Sequence, residues 1–420
     1  MNNYNFIPEE TFISDYMKYM ESQETPRVYD MMCALWCLSI AVGRDCYVDR
    51  PRAPVRFNIY IVLSSDSGVT RKSTSVRVAT NLVRDFIGSE HNRLILIESK
   101  ITTGLLEYEL QEATRKYGYA HVAISASELA AVLSRSSGIS AMPALLTDLY
   151  DCPDTRLGGG NSSHRGHHVE LKSVYASFIA GSTPVWLQRA VTPAIIEGGF
   201  TSRCYFIDGA ARKKSVAWPE LDASTEERVR LIQRLASISE YAKRTGAITI
   251  NNPAKARFTD WYNSRVSHRD AYRSSFEARE DSHVLRMAGL LSINDNRWII
   301  HVDDISNAIQ IVSRIKYDGM RLFSGTTIAK KDIRLVERVR SILISAGQTG
   351  INQTEITRAL RPTYKSEQIK SVLAVAHELD LVQRFSVETN GRPSTLWRAT
   401  VYMTNDDMYA EVVNKLGIAS

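Results

Sequence analysis

The chain has 420 residues, 44% of them hydrophobic and 23% charged, with a net charge of +6. At roughly 150 residues per domain this length predicts two or three domains, and the composition excludes a disordered, collagen-like or coiled-coil chain. The longest nearly apolar run, Met31 to Val42, falls short of the ~20 residues of a bilayer span. The polar start Met1-Asn2-Asn3-Tyr4-Asn5 lacks the basic and apolar regions of a secretory signal. An intracellular, cytoplasmic protein without membrane contact is expected.

The first 50 residues read as an N-terminal helical layer, with apolar positions at Val28, Met31, Met32, Leu35, Trp36, Leu38, Ile40 and Val42. Cys33 and Cys37 lie four apart on that pattern. The five cysteines are odd in number and lack Cys-x-x-Cys spacing, so they read as reduced thiols, with core packing favoured over zinc. From residue 51 to 215, β-rich runs alternate with helical stretches: Arg56 to Ser65, Leu94 to Ile97, His121 to Ser125, Val174 to Ala180 and Cys204 to Ile207. That alternation predicts an α/β domain with a mainly parallel sheet. An all-α region is expected over 216–329, from helical patterns at Thr225 to Lys243, Lys255 to Val266, Phe276 to Ser292 and Val302 to Leu322. Over 330–402, three helices precede a hairpin of Leu381 to Val387 and Thr395 to Thr400, the order of a winged helix, and 403–420 form a tail.

The strand ending at Ser65 runs through Asp66-Ser67-Gly68-Val69-Thr70-Arg71-Lys72-Ser73-Thr74 into a helix. A phosphate-binding loop needs this strand–loop–helix context, because free N–H groups and the positive helix end surround the anion. Lys72 would supply charge to the β and γ phosphates of ATP from a solvent-facing position, and Ser73 a hydroxyl for Mg²⁺. Against G-x-x-x-x-G-K-[ST], both glycines are replaced, by Asp66 and Arg71. An ordinary basic helix start is the alternative.

Later strands supply candidate partners. Glu128, after the His121 strand, is the candidate water-activating carboxylate, with Ser127 where an Asp is commoner; a Glu favoured by a helix dipole is the plain alternative. Ser182 or Thr183 follows the next strand, either as a γ-phosphate sensor or as a helix cap. Arg203, behind Gly198-Gly199, stands where a guanidinium could stabilise phosphoryl-transfer charge in cis or across a subunit interface, or pair with a surface carboxylate. Candidate DNA contacts are Arg156, His164, Arg165, His167 and Lys172 around a glycine-rich tip, and Lys365, Lys370, Arg384 and Arg392 in the winged helix. Lys330 to Tyr402 carries 12 Lys and Arg against 7 Asp and Glu, which is +5 of the chain's +6.

The ordered set Ser67-Gly68, Arg71-Lys72-Ser73-Thr74, Ser127-Glu128-Leu129, Tyr150-Asp151, Ser182-Thr183-Pro184 and Gly199-Phe200-Thr201-Ser202-Arg203 resembles helicase-like P-loop ATPases of phages and other mobile elements. In that family such a core is often the helicase half of a primase–helicase. The segment His283 to Leu290 is similar to the stretch after that core, and the resemblance spans roughly residues 28 to 325. It implies a RecA/AAA+-like P-loop core and ATP- and Mg²⁺-dependent work on DNA. It also implies a homo-oligomeric ring around single-stranded DNA, with Arg203 at the arginine-finger or sensor position and a separate protein for priming. The competing expectation is a DNA-binding replication initiator or regulator whose degenerate nucleotide fold only scaffolds assembly.

Overall fold

The structure is a computed structural model. It describes residues 6–51, 53–89, 94–98, 102–133, 141–158, 169–209, 214–218, 225–265 and 271–323, and, further on, 335, 338–339, 342–343, 345–361, 363–370, 373, 382–387 and 394–399. Two compact units are present, with the boundary after Phe323.

The first unit is built on five strands in parallel: Tyr60–Ser64, Ile95–Glu98, His121–Ala126, Tyr175–Ser182 and Cys204–Asp208. Each lies where the β-rich runs predict. Tyr60–Ser64 and Tyr175–Ser182 are buried at every residue, as strands covered on both faces must be. Numbered by sequence, their spatial order is 2-3-4-1-5. The chain therefore leaves the first strand in one direction, returns strand by strand, and passes over the first strand to reach the fifth. Right-handed crossovers put helices from opposite directions of travel on opposite faces. Accordingly Lys72–Ser89 packs with Arg27–Val42 and Thr225–Thr245, while Thr103–Tyr117 packs with Ala141–Tyr150. Such a reversal of direction leaves a crevice at the carboxyl ends of the strands.

Arg27–Val42 is apolar all round because it is covered all round: every residue from Tyr29 to Val42 is buried. Asp30 is accommodated there by accepting from Thr25 Oγ1 at 2.6 Å, and Gly43 ends the helix at φ +67°. Cys33 and Cys37 are free and buried, and burial pushes both thiols up, so they stay protonated.

Two expectations are corrected. Residues 216–329 are not all helical: Ala247–Ile250 and Ile299–Ile300 join Tyr47–Val48 and Val55–Arg56 in a second, four-stranded sheet. These strands are two to four residues long, with Ala247 paired to Tyr47, 200 residues away, and Ile299 to Thr249, 50 away, so no local periodicity announces them. The helix expected from Phe276 to Ser292 is broken, with Ala271–Glu277 ending before Glu280–Asn294 begins. Asn252–Ser264 and Val302–Phe323 match their helical patterns closely.

In the second unit, Val382–Val387 and Ser394–Ala399 form an antiparallel pair extended by Ile351–Asn352. Gln353–Leu360 begins with a capping box from Asn352 and Glu355. Leu335, Val339, Leu343, Ile356, Leu360, Ile369, Leu373, Val382 and Trp397 make its core.

Candidate functional site

Register brings three sequence-distant segments to one edge. Ser64 pairs with Ser182 on one side and Asp208 on the other, and Ala126 pairs with Ala180. The Asp66–Arg71 loop, the Ser127–Glu128 turn and Ser182–Thr183 therefore leave neighbouring strands at their carboxyl ends. Leu129 N donates to Gly181 O at 2.6 Å and Ser65 N to Ser182 O at 3.4 Å, which tie the segments together. A Cβ on Gly181 would stand 2.6 Å from Ser127 O and 3.7 Å from Lys72 Cδ. Glycine is required where the Ser127 turn passes over, and Lys72 lies beside it. No motif expectation had singled Gly181 out.

The loop is shaped by its own backbone and by a tyrosine from the N-terminal helices. Gly68 has φ +75°, and Arg71 has φ +53°, a left-handed conformation that non-glycine residues seldom adopt. Tyr29 OH donates to Ser64 O at 2.7 Å and receives Thr70 Oγ1 at 3.5 Å, while the Thr70 and Ser65 hydroxyls pair at 2.5 Å. Burial raises the Tyr29 phenol well above its ordinary value, so it remains a neutral donor. The Arg71 guanidinium reaches sideways to Glu24, with Nε 2.7 Å from Oε2, and Glu24 Oε1 also accepts from Val216 N at 3.1 Å. Ser67, Gly68 and Val69 are exposed, as is Ser73, whereas Thr74 is half-buried.

Lys72 does not face solvent, contrary to the expectation from sequence. It is 5% exposed, because the loop and the Gly181 strand close around its stem, and Nζ donates to Ser65 O at 3.3 Å. Among the described residues no carboxylate pairs with it. A buried ammonium without a counter-charge is costly unless an anion completes it. The positive end of Lys72–Ser89 lies in the same place, with Thr74 N and Ser75 N donating to Arg71 O at 2.9 and 3.2 Å.

Glu128 is exposed at this edge, beside exposed Ser127. Thr183 caps Pro184–Ala190, its hydroxyl accepting from Trp186 N at 3.3 Å. The hydroxyl thus acts as a helix cap, one of the two roles expected from sequence. Ser182 is buried, and its hydroxyl points to Thr183 O at 3.5 Å.

Arg203 is not brought to this edge. It precedes Cys204, which pairs with Tyr60 at the amino end of the sheet. A five-residue strand separates it from the loop, about 15 Å at the rise of a parallel strand, so the cis placement is not met. The parallel sheet carries the signal that sequence reasoning missed: residues preceding a strand and residues following one lie at opposite edges. The Arg203 side chain is held by Asp151 Oδ2 at 2.6 Å and by Gly199 O at 2.9 Å.

Of the candidate DNA contacts, Arg156 lies on Thr155–Gly158, which pairs with Val169–Lys172. Its guanidinium is engaged by Glu107 at 3.2 Å and Asp148 at 3.4 Å, at the base of this hairpin. Lys172 is exposed and lies 3.5 Å from Glu170. His164, Arg165, His167 and Arg392 lie outside the described residues. In the second unit Lys365, Lys370 and Arg384 are described: Lys370 is exposed and paired with Glu367 at 3.2 Å, and Arg384 lies over the Trp397 ring at 5.9 Å. No group of three metal-ligating side chains occurs among the described residues, and no described helix is long and apolar enough to cross a membrane. Neither a scan of protein-family models nor a search of curated proteins finds a match to this chain.

Proposed function

We propose that the chain is a P-loop ATPase acting on DNA, most simply a ring-forming helicase or helicase-like replication factor of a phage or mobile element. The observation that carries this reading is Lys72: a buried ammonium with no carboxylate against it among the described residues, at a helix start, in a crevice where three loops meet. The polyphosphate of ATP supplies the missing charge. The donor set suits Mg²⁺ held against phosphate, with the Ser73 hydroxyl and the Glu128 carboxylate both exposed at this edge. The metal would neutralise charge developing on the transferred phosphoryl group. Lys72 orients the phosphates, and Glu128 draws a proton from the attacking water. Arg203 reaches only a nucleotide held by a second copy, which is the ring reading. The C-terminal unit serves as a winged helix that contacts duplex DNA, with single-stranded DNA in the channel.

A second reading is favoured by Arg71. A cation at positive φ in the second glycine position, locked to Glu24, suits a loop that scaffolds assembly of an initiator or regulator without turnover. Steady-state ATP hydrolysis with and without single-stranded DNA separates the two. Turnover stimulated by DNA supports the motor; nucleotide binding without turnover in either condition supports the scaffold.

A further inference from the structure

The amino edge of the five-stranded sheet holds a second cluster of cations. Arg286 donates from Nε to Arg56 O at 2.8 Å and from Nη1 to the Tyr150 hydroxyl, and its guanidinium lies 4.6 Å over the Tyr150 ring. Arg203 and Arg279 both approach Asp151, with Nη2 to Oδ2 at 2.6 Å and Nη1 to Oδ1 at 3.4 Å. Gly199 has φ +78°, and a Cβ there would stand 2.8 Å from Arg203 Nη1, so the backbone is shaped to let this guanidinium in. The other titratable groups nearby leave the balance unchanged. His283 is neutral, its pKa pushed down to about 3 by burial and by Arg286. Glu280 is paired with Lys316 at 3.0 Å and Asp281 with Arg50 at 2.8 Å.

Two guanidiniums, Arg203 and Arg279, thus share one open carboxylate, and Arg286 adjoins them through Tyr150. Arg203 has a side chain only 8% exposed, and its Nε has no hydrogen-bond partner among the described residues. Burial, and then repulsion from Arg203, lowers the pKa of Arg279. The cluster is reachable from solvent, since Asp151 is 51% and Arg279 32% exposed. Guanidinium forks match carboxylates and phosphates alike, and a doubly charged oxyanion in place of the single carboxylate balances both Arg203 and Arg279.

We infer that Arg203 and Arg279 form a binding site for a phosphate-type dianion, in which the Asp151 carboxylate is the resident occupant that an incoming anion displaces. This site does not depend on nucleotide binding at Lys72, and its test is made in a Lys72→Ala chain so that the other phosphate site is absent. Thermal stability is followed while inorganic phosphate is added at constant ionic strength, with chloride as the control. The parent gains stability with phosphate, and Arg279→Gln loses that gain. Asp151→Asn is destabilised in chloride, recovers in phosphate, and binds phosphate about tenfold more tightly because the competing carboxylate is gone. Equal stability of Asp151→Asn in phosphate and chloride, or a phosphate response untouched by Arg279→Gln, overturns the inference. If Asp151→Asn does not fold, the parent and Arg279→Gln are compared by calorimetric phosphate titration, where equal affinities overturn it.

Three arms identify the source of the anion. Phosphate binding that is independent of protein concentration indicates a free ion. Competition by a thymidine 20-mer indicates a nucleic-acid backbone. An Arg279→Gln loss of ATP turnover in the Lys72-intact chain, seen only at concentrations that support assembly, indicates a nucleotide on a second copy.

Discussion

The two edges of the five-stranded sheet bury cations in different ways. At the carboxyl edge Lys72 is 5% exposed and lacks a carboxylate partner among the described residues, with Ser65 O as its acceptor. At the amino edge Arg203 is equally buried but has Asp151 against it. Burial by itself therefore does not say how a cation is compensated; the supply of counter-charge does. In the ligand-free fold a carboxylate built into the chain offsets Arg203, while Lys72 has no such partner among the described residues.

The sharpest way to break this comparison is Lys72→Ala. ATP turnover is expected to fall at least about 100-fold, because phosphoryl transfer depends on positioned charge. The ligand-free fold should lose little stability, since an uncompensated buried charge is removed along with the packing of its stem. Near wild-type turnover by the folded variant, measured at saturating ATP, would return Lys72 to an ordinary helix start.

The amino edge is probed by pH. His283 accepts or donates within a buried set, with Nε2 2.8 Å from Ser202 O and Nδ1 3.1 Å from Tyr205 OH. Its pKa lies at about 3 in the fold, against about 6.5 in an unfolded chain. Its stabilising contribution is complete above about pH 6.5 and is lost as pH falls toward 3, at about 1.4 kcal/mol per pH unit. Asp318 acts in the opposite direction. Burial, only partly offset by Arg314, raises its carboxyl to about 6, so the fold gains from its protonation as pH falls from about 6 to 4. His121 is pushed down to about 3 by burial in the same way, so two histidines outweigh Asp318 and urea midpoints of the wild type should fall across that window. His283→Gln, which keeps a donor for Ser202 O, should change little on acidification. Parallel pH profiles for the two proteins would show that His283 is not buried neutral.

Tyr29→Phe gives the smallest effect. It removes the donor to Ser64 O, but that carbonyl still accepts from Gly209 N at 3.0 Å, so no buried acceptor is orphaned. A loss of about 0.5–1.5 kcal/mol in urea unfolding is expected. The KM for ATP should rise more than kcat falls, because Thr70 loses its anchor in the loop. A loss several times larger would mean that the tyrosine supports the sheet as a whole.

The five core strands and the start of Lys72–Ser89 were legible from sequence because each is a continuous β-rich run or a local change of period. The hairpin of the second unit was legible from its flanking Asn390-Gly391-Arg392-Pro393 turn composition. The grouping of Ser65, Ser127 and Ser182 at one edge followed less directly: each stands after a strand, and a parallel sheet gathers all such positions together. Tyr29, Glu24 and Gly181 gave no signal, since their roles depend on which segment passes over them in space.

What the sequence determined alone was the succession of strands and helices, and with it the order of the polar segments that end them, because hydrophobic periodicity acts over a few residues. The tertiary structure decided the rest. Strand order 2-3-4-1-5 set which loops share the crevice, and register set Ser64 against both Ser182 and Asp208. Closure of the loop turned Lys72 from an exposed lysine into a buried one, and the direction of the fifth strand carried Arg203 to the far edge. Burial and counter-charge are properties of the packed neighbourhood, and they arise only when residues distant in sequence are brought into contact.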